Sequence, residues 1–563
     1  MVPRTPHRLL RLRSAVSCAL VAGGLALTGP SFAQESDAKE AETPAPADAE
    51  AAETPTEPGA TEAVANGDKL SIPYKKVMLD NGLEVLLHHD ARTPFVAVSV
   101  WYHVGAIDEP KGKTGFAHLF EHLMFQGSEN VGKDNHIAYL EQAGASVRGG
   151  MVNGTTNEDR TNYFEVVPRN ELDLALWLES DRMGWLMTSM TQDVLDEQRG
   201  VVKNERRQSV ENRPYGLAEE QLWQTMFPKD HPYWGMVIGS MDDLDAASME
   251  DVLFFYDTYY APSNATLAIS GDFDEDQVMA KVKKYFGVLP KWPKPKTPEV
   301  KAPAPLAEPL LVEVKEKLGR LPLISLKWFT PALYQEGDAD LDILSHVLTG
   351  SKSARLTRSL VIEERAVQNV AAYQQSYGNV SVFTIEAQLN PGRDPQEVIN
   401  LIQAQLEELQ DLPPLDEEVQ RARDSLETRV LFGLQKIGGF SGRAEKLQSY
   451  NHYLGEPDSL AFDVERYRKV TPDSIAKIVT SHLLPTQCAT LIATPLTDEE
   501  RAAAEAEAAA AAAAAAEAKA GDAKADDAKA EDAKAEDAKA EDAKTEDANA
   551  DDPKAEDAKG GDQ

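Results

Sequence analysis

The sequence predicts an α+β chain built as two similar domains, each an antiparallel sheet with helices packed on it. Three observations carry this. Across residues 70–497, strand-like runs alternate with segments of helical period. A Pro/Lys-rich stretch, PKWPKPKTPEVKAPAPLAEP at 290–309, interrupts the pattern as a linker would. After it, the order of elements resembles the order before it, in halves of domain size.

In chain order, VMLDNGLEVLLHHD is a hairpin pattern turning at Asp80-Asn81-Gly82. PFVAVSVWYHVGA is a long β-rich run, and GFAHLFEHLMFQGS after it reads as a largely buried helix. GASVRGGMVNGTTNEDRTNYFEVVP reads as paired strands with Gly and Asn turns, so Asn153-Gly154 is a candidate hairpin turn. LDLALWLESDRMGWL and DVLDEQRGVVKNERRQSVEN are amphipathic helices, NATLAISGDF a strand and EDQVMAKVKKYFGVL a helix. These complete a first domain at 70–289. Beyond the linker, LLVEVKEK, PLISLKWFTPA and SVFTIEAQL are strands. DADLDILSHVLTG, SARLTRSLVIEER and EVINLIQAQLEELQDL are helices, giving a second domain at 310–497.

The ends have a different character. Residues 1–33 carry four arginines, an apolar run and Ser-Phe-Ala before Gln34, the pattern of a cleaved secretory signal. That run is short and glycine-broken, and no other is long, so no stable membrane span is expected. The mature chain is expected to be exported, and periplasmic in a Gram-negative cell. Residues 34–69 are Ala, Pro, Glu and Thr, a disordered acidic linker. Residues 498–563 turn Ala-rich and then repeat AEDAK; a period of five builds no continuous apolar stripe, so a disordered tail is expected, with helix near its Ala run. Cys18 leaves with the signal, so Cys488 has no disulfide partner and cysteine-cluster zinc sites are excluded. Of the formal charge of −36, −19 lies in 70–497. An acidic core argues against nucleic-acid binding.

GFAHLFEHLMFQGS sets three ionisable residues among Phe, Leu and Met, where buried charge is costly unless paired or bound to a metal. His118 and His122 at i and i+4 share a helix face, and Glu121 projects to the same side. With a third protein ligand and a water, this completes a tetrahedral catalytic zinc site. His-x-x-Glu-His is the inverzincin order, with the carboxylate before the second histidine.

GAIDEPKGKTGFAHLFEHLMFQGSENV resembles the active-site segment of the pitrilysin/insulin-degrading-enzyme family, which includes the mitochondrial processing peptidase. VNGTTNEDRTNYF resembles that family's substrate strand, VVKNERRQ the helix of its third ligand, and LTGSKSARL a segment of its second domain; the resemblance spans essentially all of 70–497. It implies the half-size two-domain type, one half of a clam shell. It implies one zinc per chain on His118, His122 and Glu205, with Glu197 as the fallback ligand. Glu121 would be the general base, and Asn153 and Thr156 would bind substrate on a strand edge. The activity implied is a zinc metalloendopeptidase cleaving peptides or unfolded segments with zinc-activated water. The alternative is a catalytically silent scaffold or peptide-binding subunit of the same fold.

The chain departs from the family pattern twice. Gln198, beside Glu197, stands where many members carry a Glu supporting the ligands. Val361 and Gln368 stand where self-sufficient members carry an Arg and a Tyr on the second domain, and neither can replace those groups. The departure implies a second family subunit supplying that pair in a heterodimer, or else a homodimer or a self-sufficient monomer using a different residue. The substrate, cleavage preference and role of the acidic tails are not readable from the sequence.

Overall fold

The computed structural model describes residues 70–507 and 509–510. The signal at 1–33, the linker at 34–69 and nearly all of the 498–563 tail lie outside the described residues. A first unit ends at Pro495 and a second begins at Leu496. In the second, residues 498–507 are helical, correcting the expectation of disorder at the tail's start. Thr497 Oγ1 accepts the Glu500 N–H at 3.1 Å, an N-cap opening an Ala-rich run of high helix propensity.

In the first unit, β1 (Lys75–Met78), β2 (Glu84–His89), β3 (Phe95–Tyr102), β4 (Val152–Thr156), β5 (Thr161–Pro168) and β6 (Ala265–Gly271) form one sheet, in the order β1-β2-β6-β3-β5-β4. A second sheet holds β7 (Leu310–Glu316), β8 (Leu323–Thr330), β9 (Val367–Gln375), β10 (Ser381–Leu389) and β11 (Ala489–Pro495), in the order β7-β11-β8-β10-β9. From β2 and from β7 onward the two orders are the same: first, fifth, second, fourth, third. The domains are similar in topology. The sheets are mixed rather than purely antiparallel, because β2–β6 and β7–β11 pair in parallel. The last strand of each domain returns through helices and so arrives running parallel to the first.

The first hairpin turns as its sequence suggests: Gly82 takes φ +94°, and Leu79 N–H donates to Leu83 O at 2.9 Å. The other turn falls elsewhere. Asn153 and Gly154 lie inside β4, and the β4–β5 reversal is at Asn157–Arg160, closed by Asn157 N–H to Arg160 O at 3.0 Å. Asn157 Oδ1 accepts the Asp159 and Arg160 amides, which is the turn-forming use of an Asn side chain. In the second domain SARLTRSLVIEER forms a π-turn helix at Thr357–Glu363.

The first sheet is buried on both faces. Val85, Leu87, Val98 and Leu267 meet their own domain's helices, while Leu86, Ala97 and Ala268 meet Ala444, Leu447 and Tyr450 of the Arg443–Leu454 helix. That explains the unbroken apolar run of β3. The segment after the linker is thus not self-contained, for it returns a helix to the first sheet. Glu445 of that helix accepts hydrogen bonds from Ser99, Trp101 and Asn162, which desolvates it without leaving it unpaired. The 290–309 stretch has no helix or strand, and Val300 O accepts from Asn379 of the β9–β10 turn at 2.7 Å. Among the described residues no helix is long and apolar enough to cross a membrane.

Candidate metal centre

The helix Phe116–Leu123 presents His118 and His122. Gly115 opens it at φ +83°, and a Cβ there would meet Gly239 Cα at 2.6 Å. Only glycine fits that entry. Glu109 accepts the Ala117 and Gly115 amides at 2.8 and 3.2 Å, placing a carboxyl on the free N–H groups of the first turn. The helix Gln192–Arg206 packs across it and brings Glu205 in.

His122 Nε2 lies 3.3 Å and His118 Nε2 3.7 Å from Glu205 Oε2. One donor atom from each of the three residues lies within 4.8 Å of the others. Ligands of a tetrahedral ion at ~2.1 Å stand roughly 3.3 Å apart, so the carboxylate–imidazole separations fit one ion with little movement. Burial, and secondarily His122, holds His118 down to about 4, which keeps it as the neutral imidazole that ligates. Burial opposes ionisation of Glu205, but the His122 hydrogen bond and both imidazoles outweigh it and lower its pKa. Both histidine Nδ1 atoms are buried without a protein partner. Two imidazoles and one carboxylate are the N₂O set expected of a catalytic zinc site.

Glu121 sits beside this cluster. Burial raises its pKa, and a 2.6 Å hydrogen bond donated by Thr156 Oγ1 to Oε2 restrains the rise. Gly154 passes close by, where a Cβ would stand 3.0 Å from Glu121 Cγ. β4 carries both residues and is the edge of its sheet, paired only with β5. Its outer backbone edge is available to an added strand. The cleft here has a volume of about 150 Å3 and is bordered by His118, Glu121, Thr156, Glu158 and Glu205 on one side. Lys327 and Gln375 of the second sheet, with Tyr377 of the β9–β10 turn, border the other.

The structure thus brings His118, His122, Glu121, Glu205 and Thr156 together. Asn153 belongs elsewhere: it is an odd number of residues from Thr156, so its side chain leaves the opposite face of β4. Glu197 is corrected too. It is half-exposed and ion-paired with Lys133, because one residue along a helix turns about 100° from the Gln198 face. Gln198 is buried two turns before Glu205, but its Oε1 has no partner and no hydrogen bond joins it to the histidines. Val361 packs against the second core, Gln368 is exposed on β9, and neither borders the cleft. The residues missed are Glu158 and Lys327. Glu158 lies in a charged Asn-Glu-Asp-Arg turn that reads as solvated until the second domain covers it.

Two imidazoles and a carboxylate converging beside a buried carboxyl, at an open strand edge, define a metallohydrolase type of site. The chain belongs to the insulinase family, peptidase family M16. The family model "Insulinase (Peptidase family M16)" matches residues 84–232, and "Peptidase M16 inactive domain" matches 246–426. The zinc protease PqqE of Helicobacter pylori is 30% identical over 338 residues, 60% of this chain and 74% of that protein. An uncharacterised zinc protease of Streptomyces coelicolor is 23% identical over 76% of this chain and 90% of its own length. The crystal structure of a protease from Helicobacter pylori superposes with TM-score 0.69 at 25% identity, covering 76% of this chain and all of that one. The first half of the periplasmic protease PqqL from Escherichia coli shares the fold at TM-score 0.60 and 19% identity, covering 77% and 96%.

Proposed function

We propose that the chain is an exported zinc metalloendopeptidase holding one zinc per chain on His118, His122 and Glu205. The convergence of three donor atoms within 4.8 Å beside Glu121 carries this reading. When bound, zinc supplies Lewis acidity toward water and the scissile carbonyl. Glu121 takes the proton of the attacking water and gives it to the leaving amine, a role suited to a buried carboxyl of raised pKa. Thr156 fixes the carboxylate's orientation. The substrate adds as an extended strand to the edge of β4, read mainly through its backbone. The names of the zinc protease relatives support the reaction class. Because neither Val361 nor Gln368 borders the cleft, a second family subunit, or a second copy of this chain, supplies the missing pair and completes the chamber. The signal pattern at 1–33 supports export across the inner membrane, into the periplasm if the cell is Gram-negative.

The test compares the mature chain with Glu121→Gln for bound zinc and for cleavage of an unstructured peptide library. The expected result is about one zinc per chain in both, with turnover lower in the variant by a factor on the order of 10² to 10⁴. Equal cleavage by both overturns the role of Glu121. Zinc without cleavage in the wild type directs the work to the partner subunit. Absence of zinc overturns the metal assignment.

A further inference from the structure

The three proposed ligands stand on two helices. His118 and His122 lie on Phe116–Leu123, and Glu205 is the last residue but one of Gln192–Arg206. The spacing of the site therefore depends on how the end of the second helix is held against the start of the first. The backbone alone does not hold that end in a regular helix. Arg207–Glu211 is a π-turn, in which Asn212 N–H donates to Arg207 O at 2.6 Å, so the hydrogen-bond ladder changes register just after Glu205.

Arg206, the next residue, supplies a lateral hold. It is buried, at 7% exposed. Nη1 and Nη2 donate to Glu220 Oε1 and Oε2 at 3.0 and 2.9 Å, a two-bond fork that fixes the guanidinium plane. Nη1 also donates to Gly239 O at 2.8 Å. Gly239 lies against the entry of the histidine helix, where a Cβ on it would stand 2.5 Å from Gly115 Cα and 2.3 Å from Thr114 O. Ser240 N–H donates to Thr114 Oγ1 at 3.1 Å, and Thr114 N–H donates to Asp243 Oδ2 at 3.1 Å, so this joint is hydrogen-bonded as well as close-packed. From Glu205 the tie runs through Arg206, Gly239 and Gly115 into the helical turn that carries His118. Arg206 itself does not border the cleft and so has no contact with a substrate there.

A buried ion pair is a poor source of net stability, because desolvating both charges offsets their attraction. What the forked guanidinium adds is fixed geometry, and here it falls on the joint between the two ligand helices. We infer that Arg206 is a positioning residue, which holds Glu205 at ligating distance from His118 and His122 by anchoring the end of its helix to the Gly239 carbonyl. The consequence for metal binding rests on the proposed metal assignment; the tie between the helices does not.

The test compares the mature chain with Arg206→Met alone and with Arg206→Met combined with Glu220→Met. The single variant leaves the Glu220 carboxylate buried without its cation and should lose stability toward urea. The double variant removes both charges and should recover most of that loss, but it still has no donor for Gly239 O. Zinc affinity, measured by competition with a chromogenic chelator, should fall by roughly ten- to a hundredfold in the double variant. Hydrogen exchange of the metal-free double variant should quicken at 203–211 and at 114–119 together. Zinc affinity that returns to the wild-type value along with stability would make Arg206 a residue of the fold alone and overturn the inference. Exchange at 114–119 unchanged from wild type would overturn it too, because the tie would then not reach the histidine helix. If the wild type binds no zinc while both segments quicken together, the metal assignment falls and the tie between the helices stands.

Discussion

Thr156 sets the geometry of Glu121 through one hydrogen bond of 2.6 Å, and the sequence offers no way to see that it is Thr156 and not Asn153 that faces the carboxylate. Both belong to the resembling strand, but only parity along a strand decides the face, and the strand's limits are themselves a structural result. The i, i+4 histidines needed no such help, since helical spacing fixes their shared face. Glu205 and Glu197 sit on one helix, and there the sequence left two ligands open until packing chose one. Thr156→Val should test the positioning role, because it removes the hydroxyl and keeps the shape. A hydrogen bond to a charged group is worth ~1.5–3 kcal/mol, so kcat should fall by roughly ten- to a hundred-fold. Zinc content should stay that of the wild type, because Thr156 offers the metal nothing. A variant with unchanged kcat would show that packing against Gly154 alone orients Glu121.

At the scale of elements, strands and helices with a clear period were legible, and those whose pattern serves two masters were not. β3 reads as a continuous apolar run because each of its faces is covered, one by helices of its own domain and the other by a helix some 340 residues on, as in the 349-residue span between Gln448 and Ser99. Asp463 shows how that returning helix is fixed. It is 2% exposed, accepts the Tyr450 hydroxyl at 2.7 Å and Arg466 Nε at 2.8 Å, and lies 3.5 Å from Lys446 Nζ. Burial alone would raise its pKa, but Lys446 and Arg466 outweigh it and the folded-state value is lowered. A depressed carboxylate stabilises the fold above its unfolded value of ~3.9, and that contribution is lost as pH falls through the folded value. Asp463→Asn should therefore be less stable than wild type by about 1.5–3 kcal/mol at neutral pH, by urea denaturation. The gap should hold from about pH 5 to 8 and close below about pH 4. A gap of the same size at about pH 2.5 would assign the loss to amide geometry instead of charge.

On the scale of the whole molecule, the shared strand order of the two sheets was foreshadowed by the similar order of elements on either side of the linker, but the joint between them was invisible. It is built from turns, which carry no periodicity. Asp159, at the tip of the β4–β5 hairpin, accepts the Gly378 amide at 2.7 Å, the Tyr233 hydroxyl, and the Tyr453 hydroxyl at 3.2 Å. Gly378 stands in the β9–β10 turn and Tyr453 on the helix returned to the first sheet, so one carboxylate ties three distant segments. Glu158 and Tyr377, the chain neighbours of Asp159 and Gly378, both line the cleft. Asp159→Asn replaces an acceptor-only group with an amide that must present N–H groups to donors. At least one donor then loses its partner, at a cost of ~1–3 kcal/mol. Hydrogen exchange should quicken together at 157–161 and 376–380, while zinc content is unchanged because none of the three ligands touches the joint. Binding of an extended peptide by the Glu121→Gln chain should weaken when Asp159→Asn is added, since the β4 edge is then held at one end only. Faster exchange in the β4–β5 turn alone would mean that the second domain is held by its apolar contacts with Trp223, Phe227 and Tyr233, and that Asp159 serves its own hairpin.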